Sequence, residues 1–78
     1  MWTEVDRKGW EYKAQFYVGG NGRKGWLRPG ATRAEMAAVL GAPTHEEGQA
    51  STWARTHISF MAIWDAGLAL ELYVRYEL

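Results

Sequence analysis

Few side chains in this 78-residue chain have the chemistry of a reactive centre: two histidines, nine carboxylates and some hydroxyls, with no cysteine at all. His45, Glu46 and Glu47 are consecutive and His57 follows beyond them, a set that on paper could ligate a metal. Neighbouring loop residues rarely converge on one ion, and no His-x-x-x-His spacing reinforces them, so a solvated loop is the expectation and no metal is assigned. Ser59, His57 and Asp65 offer the three types of a hydrolytic triad. No glycine-framed serine accompanies them. Asp65 reads more simply as the first residue of a turn, and Ser59 and His57 as exposed polar positions on one strand face. Without cysteine there is no thiolate nucleophile, thiolate metal site or disulfide. No cofactor is implied, and the chain is not expected to be an enzyme.

Basic groups cluster once, in GRKGWLR, where Arg23, Lys24 and Arg28 surround Trp26. Cations with an interleaved aromatic suit a single-stranded nucleic acid. A nucleic-acid-binding domain is normally basic overall, and this chain has a formal net charge of zero. The charge is unevenly spread. Residues 1–33 carry seven Lys/Arg against three Asp/Glu, and residues 34–78 carry two against six. The two halves can cancel against each other on folding, or the second can present an acidic face to a basic partner.

The elements that must position these groups follow from periodicity. Trp10, Tyr12, Ala14, Phe16 and Val18 alternate with polar residues and predict a half-buried strand, which Gly19–Gly22 ends. Arg23–Leu27 is a short strand or connector with Trp26 and Leu27 as its core candidates. Thr32 with Glu35 forms a capping box, and Gly41 followed by Pro43 forms a stop. Between them lies a two- to three-turn helix with a Met36, Val39 and Leu40 stripe. A helix that short needs a sheet to dock on. His45–Ser51 reads as a polar loop. Ile58, Phe60, Ala62 and Trp64 predict a strand, and Asp65-Ala66-Gly67 a tight hairpin. In the last strand Leu68, Leu70, Leu72, Val74, Tyr76 and Leu78 are expected on a buried face, with Ala69, Glu71, Tyr73, Arg75 and Glu77 on a wet one.

The sum is one α+β domain over residues 1–78. It has two layers: an antiparallel meander of three to four strands and one short capped helix, with room for a second helix at Met1–Lys8. Five tryptophans give so small a chain the bulky core it needs. No run approaches the ~20 apolar residues of a membrane span. The opening MWTEVDRKGW is charged, without an apolar signal segment, and points to a reducing cytoplasm.

The run G-A-T-R-A-E-M-A-A-V-L-G-A-P, Gly30 to Pro43, resembles the G-x-T-x-x-E-V-x-x-x-L-G-x-P element of small bacterial α+β domains. These include the small lipoprotein subunit of the outer-membrane barrel-assembly machine and the immunity partners of polymorphic toxins. W-D-A-G-L-A-L-E-L-Y, Trp64 to Tyr73, is similar to their D-x-G-L hairpin. This chain has no lipobox cysteine. The resemblance implies an immunity-type inhibitor that occludes a larger protein, a toxin, and the acidic second half of the chain adds the expectation that this partner has a basic cleft. Its expected contact residues are Glu46, Glu47, Glu71, Tyr73, Arg75 and Glu77. The alternatives are a nucleic-acid-associated or phage-type regulator using Arg23, Lys24, Trp26 and Arg28, and a non-enzymatic scaffold domain.

Overall fold

The computed structural model describes residues 1–6, 8–10 and 27–76. Among these residues the elements run β1 (Thr3–Glu4), α1 (Arg33–Leu40), β2 (His45–Glu47), β3 (Ala50–Ala54), β4 (Ile58–Asp65) and β5 (Leu68–Tyr76). The strands form a single antiparallel sheet in the order β1-β5-β4-β3-β2. The mixed α+β architecture agrees with the sequence, but the sheet has five strands rather than three to four. Both additions are short edges. Thr3–Glu4 pairs with Val74 and Tyr73, where a second helix had room to form. His45–Glu47 pairs with Ala50–Thr52, where a loop is expected. The strand expected from Trp10 to Val18 lies outside the described residues except for Trp10, whose backbone is helical. The Gly19–Gly22 segment and Trp26 lie outside them as well.

The helix is fenced as its sequence requires. Thr32 Oγ1 accepts from the Glu35 amide at 3.1 Å, and Glu35 Oε1 accepts from the Thr32 amide at 3.0 Å. At the other end Gly41 takes φ 81°, in the region that favours glycine, and its amide donates to the Ala37 carbonyl. Met36, Val39 and Leu40 are buried among Trp53, Phe60, Ala62, Leu72 and Val74. Both ends of α1 are also tied to the sheet. The residues leading into it join the start of β5, where the Gly30 amide donates to Ala69 and the Ala69 amide donates to Ala31, each at 2.8 Å. At its exit Trp53 Nε1 donates to the Gly41 carbonyl at 2.8 Å, and Arg55 Nη2 donates to the Leu40 carbonyl. Two otherwise orphaned helix carbonyls are thereby satisfied.

Thr32→Ala is expected to cost about 1 kcal/mol through the lost cap. Gly41→Val should cost more, because a β-branched residue is strained at positive φ. Thermal unfolding of the two variants tests this ranking, and a Gly41→Val protein as stable as the parent would contradict it.

Two further expectations are corrected by the sheet. In β5 the alternation breaks. Ile63 pairs with Glu71 but Trp64 pairs with Ala69, so Leu70 is an extra, bulged residue. The bulge moves Ala69 onto the buried face with Leu72 and Val74, and leaves Leu68 44% and Leu70 43% exposed. Tyr76 is exposed too, at the strand end. Ser59, expected at the surface, is buried on the face opposite the helix. His57 is exposed, in a bend just before β4.

Candidate functional site

The register sorts the candidate side chains on the described strands to one face of the sheet or the other. On the helix side, Glu46, Ser51, Ala62 and Leu72 form one cross-strand row, and Trp53, Phe60, Val74 and Thr3 the next. On the other side, Glu47, Ala50, Ile63 and Glu71 form a row, followed by His45, Thr52, Met61, Tyr73 and Glu4. Ala54, Ser59 and Arg75 follow on that same face. The adjacent Glu46 and Glu47 thus point to opposite faces, as successive strand residues must. Glu47, Glu71, Tyr73 and Arg75 are brought to one face, and Glu46 is not among them. Glu77, Arg23, Lys24 and Trp26 lie outside the described residues.

Glu46 is bound into a polar cluster against the helix. Its Oε1 accepts from Ser51 Oγ at 2.9 Å and from Arg33 Nη1 at 3.2 Å. Ser51 is fully buried, and its hydroxyl also accepts from Trp64 Nε1 at 2.8 Å and from Arg33 Nη1 at 3.3 Å. The Arg33 guanidinium stacks over the Trp64 ring, 4.6 Å from its centroid, a cation–π geometry. The buried serine hydroxyl donates once and accepts twice, and the cluster joins the first turn of α1 to β2, β3 and β4. Arg28 pairs with Glu35 at 3.1 Å. Both ion pairs link the basic first half of the chain to the acidic second half, so part of the charge asymmetry cancels internally. Such exposed pairs contribute at most about 1 kcal/mol each.

The Glu35 carboxyl sits below its ordinary value, chiefly because it accepts the Thr32 backbone hydrogen bond, with Arg28 adding to the effect. A lowered folded value means that this carboxylate stabilises the fold above the ordinary carboxylate range. The contribution fades as pH falls through the folded value.

The second face is half-buried rather than freely wetted, which corrects the expectation for Glu71, Tyr73 and Arg75. Two local contacts help explain it. Trp2 lies over Arg75, with the guanidinium carbon 4.7 Å from the ring centroid. Tyr73 donates its hydroxyl to Glu71 Oε1 along the same strand, in a part-buried bond. That bond to a carboxylate is the main reason the Tyr73 phenol is pushed up to about 12, with desolvation and the Glu71 and Glu4 charges acting in the same direction. The raised value favours the neutral phenol in the folded state. Its stabilisation is complete below the ordinary tyrosine value and is lost as pH climbs through the folded one. Titration of tyrosinate absorbance should find one of the four tyrosines ionising near 12. Glu71→Gln should bring that step down towards ~10, and a titration unchanged by Glu71→Gln would show that the pair does not exist in solution.

The chemistry imagined for the remaining groups is not assembled. Ser59 and Asp65 stand at opposite ends of β4, about 20 Å apart at ~3.3 Å per residue. His45 Nε2 lies 3.5 Å from Glu47 Oε2 in an exposed pair, and among the described residues no three His, Asp or Glu converge as metal ligands would. Among the same residues no helix is long and apolar enough to cross a membrane. The half-burial of the second face and the bulge at Leu70 are what sequence reasoning misses. Only the close succession of Trp64, Gly67 and an over-long leucine alternation hints at either. No protein family, curated protein or solved structure matches the chain.

Proposed function

We propose that this protein is a non-enzymatic, protein-binding inhibitor of the immunity type, acting in the cytoplasm by stoichiometric occlusion of a larger partner with a basic cleft. The observation that carries the reading is the composition and order of the second sheet face. Glu47 and Glu71 close the two ends of one row, three strand spacings or roughly 14 Å apart. Tyr73 and Glu4 stand beside Glu71 in the next row, and Arg75 beyond. Carboxylates, a tyrosine and an arginine are groups that steer and anchor protein interfaces. Here they are fixed on strands and held by Trp2 and by the Tyr73–Glu71 bond, so little side-chain entropy remains to be lost on binding.

Glu46, committed to Arg33 and Ser51, supports the framework and contributes charge at the rim. The segment resemblance of Gly30–Pro43 to immunity domains supports the same class. The test is co-expression with any larger, toxin-like reading frame found beside its gene. Rescue of growth and a one-to-one complex on gel filtration are the expected results. Copurification of a polynucleotide, abolished by Arg23→Glu with Lys24→Glu, would replace this reading with the nucleic-acid one.

A further inference from the structure

At the hairpin end of β5, two contiguous clefts share Leu70 as a wall. One, of about 280 Å³, lies between Pro29, Gly30 and the exposed Leu68, with Asp65 at its lip. The other, of about 350 Å³, lies between Leu70 and the β1 segment, and Glu4, Asp6 and Glu71 line it. The described residues lining the pair include four carboxylates and no cation. Glu4 and Asp65 form no ion pair among the described residues. Leu68 and Leu70 are two of the four exposed large apolar side chains that the described residues contain. Their exposure is built in. A regular strand would have paired Leu70 across to β4, but the bulge between the Ile63 and Trp64 pairings turns it out of the ladder. Bulges characteristically re-aim a side chain in this way.

From these contacts we infer a docking surface for a basic polypeptide segment. An apolar side chain would seat on Leu68 and Leu70, with flanking Lys or Arg reaching Asp65 on one side and Glu4, Asp6 and Glu71 on the other. This rests on the reading of the chain as a protein-binding module and names the part of the surface where the partner's anchor enters. Charge decides the occupant. An acidic segment would meet four carboxylates at close range, whereas a basic one is attracted, and its apolar residue removes the leucines from water.

The full chain, isotope-labelled, is titrated with two synthetic peptides that share an apolar centre: Lys-Arg-Leu-Phe-Arg-Lys and Glu-Asp-Leu-Phe-Asp-Glu. The basic peptide is expected to give saturable amide shifts confined to residues 65–71 and 4–6, weakening several-fold in high salt. The acidic peptide is expected to give none. Leu70→Lys should abolish the shifts. Leu68→Ser, at an exposed position, should weaken them at least several-fold, and the dispersion of each variant's own spectrum confirms that it is folded. Equal binding of the two peptides, or no saturable shift with about 1 mM basic peptide, would overturn the inference. Concentration-dependent shifts of the same amides without peptide would overturn it in favour of a second copy of this chain. Shifts centred on Glu47 and Tyr73 instead would remove this surface while leaving the protein-binding reading intact.

Discussion

Trp53→Ala is expected to cost about 3–5 kcal/mol, which in a domain of this size would leave little folded protein at moderate temperature. The magnitude comes from two roles in one side chain. The ring is fully buried on the helix side of the sheet, in the cross-strand row with Phe60 and Val74. Its indole N–H also holds the Gly41 carbonyl at the helix exit. Removing it opens a cavity and releases one of the two tethers at the C-terminal end of α1, leaving Arg55 on Leu40. Trp53→Phe separates the roles. Phenylalanine keeps much of the packing but cannot donate, so it should lose on the order of 1–3 kcal/mol for smaller volume and the lost hydrogen bond to the Gly41 carbonyl. Chemical denaturation of both variants measures the split. Equal losses from Ala and Phe would mean that the hydrogen bond, not the packing, is the dominant contribution.

Much of the scaffold around Trp53 is legible in the amino-acid order because it is local. Thr32, Glu35 and Gly41 act on backbone groups within one turn of themselves, so their types alone specify where α1 begins and ends. The Asp65-Ala66-Gly67 turn is legible for the same reason, although Ala66 occupies a positive φ of 53° that glycine or asparagine would fill at lower cost. The β2 strand is not legible. All three of its residues are exposed, so no buried side chain imposes a period, and the tight turn rests on Gly48 at φ 59°. The phase of β5 is hidden for a different reason. Its leucine alternation is consistent with a regular strand, but the bulge is set by how β5 meets β4, which no property of β5 alone encodes. Ser59 shows the same limit, since its burial depends on what packs over the second face. For the candidate site, the residue types Glu47, Glu71, Tyr73 and Arg75 can be picked from the sequence. The separation of Glu46 from Glu47 needs only the recognition that they lie on a strand.

That separation shapes the second large effect. Tyr73→Ala is expected to weaken the proposed complex by about tenfold or more, mainly by faster dissociation. Its ring lies between Met61 and Glu4 in the cross-strand row, and its hydroxyl is already engaged by Glu71. Tyrosine held in this way offers a rigid contact surface, and its truncation would release Glu71 as well. Glu47→Lys acts differently. The side chain is exposed at the sheet edge and, among the described residues, pairs only with His45, so reversing it should slow association several-fold and reduce its salt dependence while leaving dissociation nearly unchanged. Glu46→Lys is the control that separates binding from framework. It places a cation against Arg33 and removes the acceptor of the buried Ser51 hydroxyl, so its main effect should be a lower melting temperature. Association and dissociation rates for the three variants, with the one-to-one partner immobilised, give three distinguishable signatures. If Tyr73→Ala binds like the parent while Arg23→Glu with Lys24→Glu abolishes binding, the contact belongs to the basic segment and the second sheet face is a structural surface.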